Sequence, residues 1–179
     1  KIAGITKKRI KTLLKSDISL YSAHLPLDLH PEVGNNACMA KLLNLKDLQP
    51  FGSYHSVNCG YYGKLSRDCS RDSFLKLVEQ KIAKIKIKHL FGKKRIKTVG
   101  IVSGGGAFAV NEINKHNIDI LISGEQQHMY YNPTKEQGAN AIYLGHYDTE
   151  TFGVKALKNP LKKKFKTIDT FFIDNPTGL

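Results

Sequence analysis

The chain has 179 residues and carries 28 lysine or arginine residues against 15 aspartate or glutamate residues, which gives a formal net charge of +13. Hydrophobic residues make up 41% of the sequence, enough for a folded core, so the composition argues against a disordered chain. No apolar run reaches the length of a membrane span, and the cysteines are odd in number and lack zinc-site spacing (Cys38, Cys59 and Cys69). These features disfavour a membrane protein and a secreted disulfide scaffold, and they indicate reduced thiols in a cytoplasmic protein.

The positive charge is concentrated in three separate stretches, residues 7–15, 81–97 and 155–166. Lysine greatly outnumbers arginine, and lysine ammonium groups contact phosphates as point charges rather than reading bases through paired donors. A solvated lysine-rich surface and a nucleic-acid site are both consistent with this pattern, and the first is favoured. Binding of nucleic acid at these lysines would be sensitive to salt and indifferent to base sequence.

The first half of the chain predicts helices mixed with short strands. Apolar residues at helical spacing predict helices over residues 6–16, 35–44 and from about residue 73 onward. Alternating apolar residues predict strands over residues 18–23 and 84–91, and the glycines of residues 48–72 predict short strands joined by turns. Pro26 cannot take a central ladder position, so a loop is predicted over His24–Asp28.

The second half alternates strands and helices more regularly. Apolar runs predict strands over residues 97–103, 118–122, 139–144 and 167–173. Helices are predicted over residues 107–115, from the segment after Glu125 to about 137, and over 149–161. This alternation favours parallel pairing through right-handed crossovers. We therefore predict an α/β fold with a largely parallel sheet flanked by helices, in one domain without an internal repeat.

The strongest local signal for chemistry is the stretch from His146 to Glu150. If a helix begins near His146, the spacing of four places the imidazole and the carboxylate on one face, one turn apart. This donor pair suits Zn, Mn, Fe or Co, and a carboxylate can also bridge two metals. The alternative is that His146 caps the helix while Glu150 complements its dipole, and spacing alone favours that structural role.

Two further strand ends carry candidate groups. His24 and Asp28 offer a second imidazole and carboxylate, although a turn-capping aspartate is equally consistent with the pattern. Gly104–Gly106 follows a strand and precedes a helix, as a phosphate-binding turn does, but it is neither a complete GxGxxG nor a P-loop sequence. A turn that needs positive φ and close helix–strand approach is the favoured interpretation.

Five stretches of the sequence, in order, resemble the motifs of one known family. They are residues 21–36 (YSAHLPLDLHPEVGNN), 102–106 (VSGGG), 118–125 (IDILISGE), 144–150 (LGHYDTE) and 172–176 (FIDNP). On these motifs the chain is identified as a member of the NIF-three-like proteins, many of which are named GTP cyclohydrolase 1 type 2 homologues. The resemblance covers nearly the whole chain and is least diagnostic in the central segment, residues 48–95.

This resemblance implies a protein that holds two divalent metal ions and assembles into a ring-shaped homohexamer. Matched motif by motif, the metal ligands are Asp28, His146 and Glu150, with Glu150 as a bridge between two ions whose identity (Zn, Mn, Fe or Co) stays open. His24 and Glu125 are the candidate catalytic groups, as proton carriers beside the metals.

The implied activity is metal-dependent hydrolysis of a nucleotide, namely GTP ring opening with formate release. Two divalent ions would lower the pKa of a bound water towards neutrality, and lysines near the mouth of the site would attract the triphosphate. The alternative is a non-enzymatic, ring-shaped metal protein that binds nucleic acid or a protein partner, which the charge of +13 also favours.

Two departures from the family pattern bear on the metal site. Family members carry an N-terminal segment that ends in adjacent histidines, each of which binds one metal, and this sequence starts after that segment. A polypeptide beginning at Lys1 is therefore expected to be an N-terminally incomplete NIF-three-like domain, spanning residues 1–179, that holds its metals loosely or not at all. Asp148 stands where alanine is common, which adds negative charge beside the metals.

Overall fold

A six-stranded sheet runs through the part of the chain that the computed structural model describes, residues 1–178. Its strands are β1 (Lys46–Tyr54), β2 (Val57–Ser70), β3 (Ile87–Leu90), β4 (Arg95–Val102), β5 (Ile120–Ser123) and β6 (Asn140–Tyr143). Across the sheet their order is β1-β2-β4-β5-β6-β3, so the three strands with the most apolar sequences lie inside it.

The sheet is mixed, so the prediction of a largely parallel sheet is wrong. Only β4–β5 and β5–β6 pair in parallel, whereas β1–β2, β2–β4 and β3–β6 pair antiparallel. The reason is partly local: His55 and Ser56, both with positive φ, reverse the chain in two residues, and the predicted short strands of residues 48–72 become one long hairpin. The broader prediction of an α/β fold with flanking helices is confirmed.

Helices and short 3-10 segments connect the strands. The helices are α1 (Gly4–Lys15), α2 (Leu25–Asp28), α3 (Asn35–Leu42), α4 (Arg71–Lys81), α5 (Tyr131–Glu136) and α6 (His146–Lys164). The 3-10 segments Gly106–Glu112 and His128–Tyr130 stand where the sequence predicts regular helix after β4 and after β5. Asn44 ends α3 with a φ of +53°, as the left-handed stop that its residue type favours.

Three other predicted elements are wrong. Residues 18–23 and 167–173 form no strand, because an alternating pattern becomes a strand only where a sheet edge pairs with it, and neither segment joins the sheet. His24–Asp28 is not a loop, since Leu25–Asp28 forms α2. Pro26 lies in the first turn of that helix, where the missing N–H has no partner to lose.

Apolar side chains cover both faces of the sheet, as the alternation along β5 shows. Ile120 and Ile122 belong to a cluster that includes residues of α3 and α4, while Leu121 belongs to a second cluster that includes the 3-10 segment after β4. A strand buried on both faces is a continuous apolar run, which is why β5 was recognisable from its sequence.

A buried polar network joins the amino ends of the parallel strands. The Asp119 carboxylate, just before β5, accepts the backbone N–H groups of Lys97 and Thr98 at 2.9 Å each and contacts Lys93 Nζ at 2.8 Å. Burial raises the pKa of Asp119, but these bonds outweigh burial and hold that pKa below its ordinary value. Asn140 Nδ2 donates to the carbonyl oxygens of Lys93 and Asp119, which extends this network to β6.

The structure also bears on two inferences from composition. No helix within residues 1–178 is long and apolar enough to cross a membrane. Cys38, Cys59 and Cys69 are free thiols, as the cysteine count predicts.

Candidate metal centre

The predicted site residues gather where β4, β5 and β6 end. The turn Gly104–Gly106 follows β4, Glu125 follows β5, and α6 begins at His146 shortly after β6. Asp28 reaches the same place from α2, which packs against α6. Ligands collect at the carboxyl ends of parallel strands in α/β proteins, so this edge of the sheet is the expected position for a binding site.

Three side chains here form a group that could hold a metal ion. One ring nitrogen of His24 and one carboxylate oxygen each from Asp28 and Glu150 all lie within 4.8 Å of one another. Asp28 is buried, Glu150 is half-buried and His24 is exposed, so the group opens to solvent on the imidazole side. An imidazole with two carboxylates is a suitable donor set for Zn, Mn or Fe.

His146 places a fourth donor beside this group. Its Nε2 lies 3.2 Å from Glu150 Oε2, because the spacing of four brings the two side chains together on α6. Glu150 is thus shared between His146 and the group formed with His24 and Asp28. Gly145, rather than His146, is the N-cap of α6, so the helix-capping alternative for His146 does not describe the structure.

Burial disfavours ionisation of both site carboxylates. It raises the pKa of Asp28 above its ordinary value, although a hydrogen bond from Asn35 and the nearby His24 and His146 act in the opposite direction. It also raises the pKa of Glu150, and repulsion from the Asp28 carboxylate adds to that effect. A divalent cation between the carboxylates would favour their ionised forms, so the donor set and its electrostatics fit a metal ion.

Asn35 fixes Asp28, a role that the sequence analysis did not assign to it. It is the first residue of α3, whose N-cap is Gly34. Asn35 Nδ2 donates to Asp28 Oδ1 at 2.6 Å, and its Oδ1 accepts the backbone N–H of Gly153 in α6, also at 2.6 Å. One side chain therefore ties the Asp28 carboxylate to the helix that carries Glu150.

Asn36, the next residue of α3, ties that helix to the sheet. It is fully buried, its Nδ2 donates to the Cys59 carbonyl at 2.7 Å, and its Oδ1 accepts the Ser103 N–H at 2.8 Å. Adjacent asparagines are unfavourable inside a helix by propensity, and that was the available signal that their side chains have partners elsewhere.

Gly104 leaves room for the site. Its φ is +57°, and a Cβ at this position would overlap Glu150 Oε1 and lie 2.9 Å from His146 Nε2. A Cβ at Gly106 would lie 2.5 Å from Val102 side-chain atoms. The interpretation of this turn as a device for positive φ and close packing is therefore confirmed.

The four donors line one cavity of about 560 Å³. Its other walls combine aromatic, polar and glycine residues, including Tyr54, Phe108, Tyr130, His55, Gln127, Gly105 and Gly106. The structure thus brings Asp28, His146 and Glu150 together, and His24 with them. Glu125 does not line this cavity. It lines a neighbouring cavity of about 420 Å³, which shares His146 and Glu150 with the first.

The fold and the site define a class of α/β proteins with a mixed sheet. At the carboxyl ends of its parallel strands lie two imidazoles and two carboxylates, a donor set that fits a divalent metal. The model of the Duf34/NIF3 (NGG1p interacting factor 3) family matches residues 1–178, and the chain belongs to this family. The identification made from the sequence motifs is therefore confirmed.

Curated relatives share most of their length with this chain. It is 45% identical over 179 residues to the GTP cyclohydrolase 1 type 2 homolog of Pyrococcus horikoshii, an alignment that covers 99% of this chain and 71% of the relative. The protein of the same name from Deinococcus radiodurans is 41% identical over 178 residues, covering 99% of this chain and 67% of the relative.

Solved structures show the same fold. The protein ybgI, described as of unknown function, superposes with a TM-score of 0.86 at 31% identity, covering 99% of this chain and 70% of its own. TTHA1606 from Thermus thermophilus superposes with a TM-score of 0.85 at 38% identity, and the match covers 100% of this chain and 70% of TTHA1606. Reduced HcgD from Methanocaldococcus jannaschii superposes with a TM-score of 0.75 at 27% identity, and the match covers 92% of this chain and 65% of HcgD.

Proposed function

We propose that this protein binds two divalent metal ions that share Glu150 as a bridging carboxylate. Asp28 and His24 would hold one ion, and His146 would contribute to the other. The position of Glu150 supports this assignment, because its carboxylate belongs to the group with His24 and Asp28 and also contacts His146 Nε2. His24, predicted from sequence as a proton carrier, takes the role of a ligand because its ring nitrogen lies within that group.

The reaction that we propose is hydrolysis of a nucleotide, with GTP ring opening and formate release as the specific case. The name shared by the relatives from Pyrococcus and Deinococcus supports this reaction class. Bound divalent ions would supply an activated water near neutral pH. The cavity has the size of a small-molecule site.

Residues of the chain itself would bind and orient the nucleotide. Tyr54 and Phe108 lie in the cavity wall with ring centroids 5.5 Å apart, and such rings offer a stacking surface for a purine. The net charge of +13 would attract a triphosphate from solution. The Asp28 carboxylate, fixed by Asn35, would hold its metal in a constant position relative to that wall.

Incubation of the metal-loaded protein with GTP tests this proposal, with formate and the absorbance change of ring opening as readouts. Asp28→Ala is expected to reduce turnover by more than the roughly 10–100-fold that loss of a supporting residue costs at metal sites. Asp169→Ala removes an exposed carboxylate elsewhere and should leave turnover unchanged. Absence of formate from the metal-loaded wild type would contradict the proposed reaction.

A second candidate is a non-enzymatic metal protein that binds nucleic acid. The observation in its favour is the charge of +13, carried largely by exposed lysines such as those of α1. Retention of DNA that weakens steeply with salt, in a protein without GTP turnover, would support this candidate over the hydrolase.

We also propose a symmetric homo-oligomer, with a hexameric ring as the specific case. α1 buries none of its residues, and Ile10 and Leu14, which share one face of the helix, are both exposed, so apolar side chains on that face are uncovered in the single chain. Contacts between copies would cover such a face and leave many lysines outside or along a central opening. Light scattering at moderate salt tests this, and a monomer at micromolar concentration would contradict it.

A further inference from the structure

The His146 ring lies between two carboxylates. Its Nδ1 is 2.7 Å from Glu125 Oε1, and its Nε2 is 3.2 Å from Glu150 Oε2. Glu150 belongs to the group with His24 and Asp28, whereas Glu125 stands on the opposite side of the ring and lines the neighbouring cavity. The two ring nitrogens therefore face different surroundings.

Backbone bonds hold the Glu125 end of this arrangement in place. The N–H groups of Gly124 and Glu125 both donate to the Gly104 carbonyl, at 3.0 and 2.8 Å, and the Gly145 N–H donates to the Gly124 carbonyl at 2.9 Å. Gly124 packs so closely that a Cβ there would lie 2.7 Å from Thr149 Oγ1. The loop that carries Glu125 is thus fixed to the start of α6, one residue before His146.

From this geometry we infer that Glu125 is a positioning residue for His146: it binds Nδ1 and presents Nε2 to the ion shared with Glu150. The inference rests on the proposed metal site. It replaces the proton-carrier role that the sequence suggests for Glu125, because Glu125 is absent from the cavity that holds the other donors.

The physical reason is the chemistry of the imidazole ring. An ionised carboxylate only accepts hydrogen bonds, so a bond to Glu125 requires Nδ1 to carry a proton. In the neutral ring Nε2 then has a free lone pair, which a metal ion needs. The 2.7 Å bond also fixes the rotation of the ring, and partners of this kind change metal affinity by about 10–100-fold.

The test compares Zn²⁺ affinity in Glu125→Gln, Glu125→Ala and the wild type, measured by competition with a chromophoric chelator. A glutamine carbonyl can still accept from Nδ1–H, whereas alanine cannot. Positioning therefore predicts a graded loss, with Glu125→Gln intermediate and Glu125→Ala weaker by roughly 10–100-fold. Glu136→Ala, which removes an exposed carboxylate from α5, is the matched control and should bind like the wild type.

A second readout is the protonation pattern of His146 in the Zn²⁺-loaded protein, followed by ¹⁵N NMR. We expect Nδ1–H with Nε2 on the metal in the wild type and in Glu125→Gln, and a mixed pattern in Glu125→Ala. Equal losses in both variants would mean that Glu125 acts only through its charge and would overturn the inference, as would unchanged affinities or metal bound through Nδ1. Wild-type protein that binds Zn²⁺ without turning over GTP would refute the proposed reaction alone, whereas failure to bind Zn²⁺ would refute both.

Discussion

The pKa values of buried carboxylates are shifted in opposite directions at the two ends of the parallel strands. At the amino ends, the Asp119 carboxylate is held by two backbone N–H groups and by Lys93, and its pKa lies below the ordinary value. At the carboxyl ends, burial raises the pKa values of Asp28 and Glu150, and hydrogen bonds do not compensate for it. The first end is stabilised by its own protein groups, whereas the second keeps a donor set that a cation would complete.

The difference in carboxylate pKa distinguishes a structural hydrogen-bond network, at the amino ends, from a candidate ligand-binding site, at the carboxyl ends. A carboxylate that has its full set of donors stabilises the fold and has no capacity left for a ligand. Carboxylates that are partly desolvated and close together destabilise the metal-free protein, and a bound cation recovers that energy as binding affinity. Three predictions test this contrast, and a fourth concerns a buried histidine outside both ends.

The largest effect is expected from Gly104→Ala at the carboxyl end. The new Cβ would overlap Glu150 Oε1 and crowd His146 Nε2, so divalent-metal binding should weaken by more than about 100-fold. Gly138→Ala is the matched control, because Gly138 has nearly the same φ, +58°, but its Cβ would meet nothing closer than 3.8 Å. Both variants should lose about 1 kcal/mol to backbone strain, and only the first should lose the metal. Equal metal affinity in the two variants would break the contrast.

Asp119→Ala should cause the largest loss of stability. It removes the acceptor of two backbone N–H groups at the amino ends, and the expected cost is about 3 kcal/mol in urea unfolding. Asp68→Ala, which breaks the exposed pair with Arg95, should cost less than about 1 kcal/mol. Metal affinity should be unchanged in both variants, and a loss of metal in Asp119→Ala would show that the two ends are coupled.

Asp28→Asn should stabilise the metal-free protein while it removes a proposed metal ligand. Because burial raises the pKa of Asp28, its ionised form opposes folding above the ordinary aspartate pKa, and the neutral amide relieves this cost. The oxygen of the new amide can still accept from Asn35, so a gain of about 0.5–2 kcal/mol is expected. Thermal unfolding in the presence of a chelator measures this, with Asp169→Asn as the control. A lower Tm for Asp28→Asn would contradict the view of Asp28 as a strained ligand.

The smallest effect concerns His89, a buried group on the edge strand β3. Its ring packs against Tyr131 and Tyr143, and its Nδ1 has no hydrogen-bond partner within residues 1–178. Burial lowers the pKa of His89, so the unfolded chain takes up the proton first, and stability should decline as pH falls below about 6.5.

The substitution His89→Leu should reduce the loss of folding stability between pH 7 and pH 5 by about 1 kcal/mol or less, measured from urea midpoints. His128→Leu, at an exposed histidine, should keep the wild-type pH dependence. An unchanged pH profile in His89→Leu would show that other groups account for the acid sensitivity.

Local pattern predicted the contact between His146 and Glu150 better than it predicted the sheet. The spacing of four needs only α6 to bring the two side chains together, although spacing alone favoured a structural role for them and the family motif pointed to metal binding. The antiparallel half of the sheet depends on the turn at His55 and Ser56, and neither residue is the glycine or asparagine that normally marks such a turn. That turn therefore left no recognisable signal.

Contacts between residues distant in the sequence could not be predicted either. Asn35 accepts the N–H of Gly153, which lies 118 positions away, so the sequence around Asn35 does not identify this partner. Glu125 was found by motif, but the positioning role inferred for it rests on its 2.7 Å contact with His146 Nδ1, which only the three-dimensional structure gives.

The most direct test of the shared carboxylate is a Zn²⁺ titration of the wild type, Asp28→Asn, His146→Gln and Glu150→Gln by calorimetry. If Glu150 bridges two ions, the wild type shows two binding events, Asp28→Asn weakens one, His146→Gln weakens the other, and Glu150→Gln weakens both. A wild type with no binding event, or a Glu150→Gln variant in which only one of two events is weakened, would contradict a site built around Glu150.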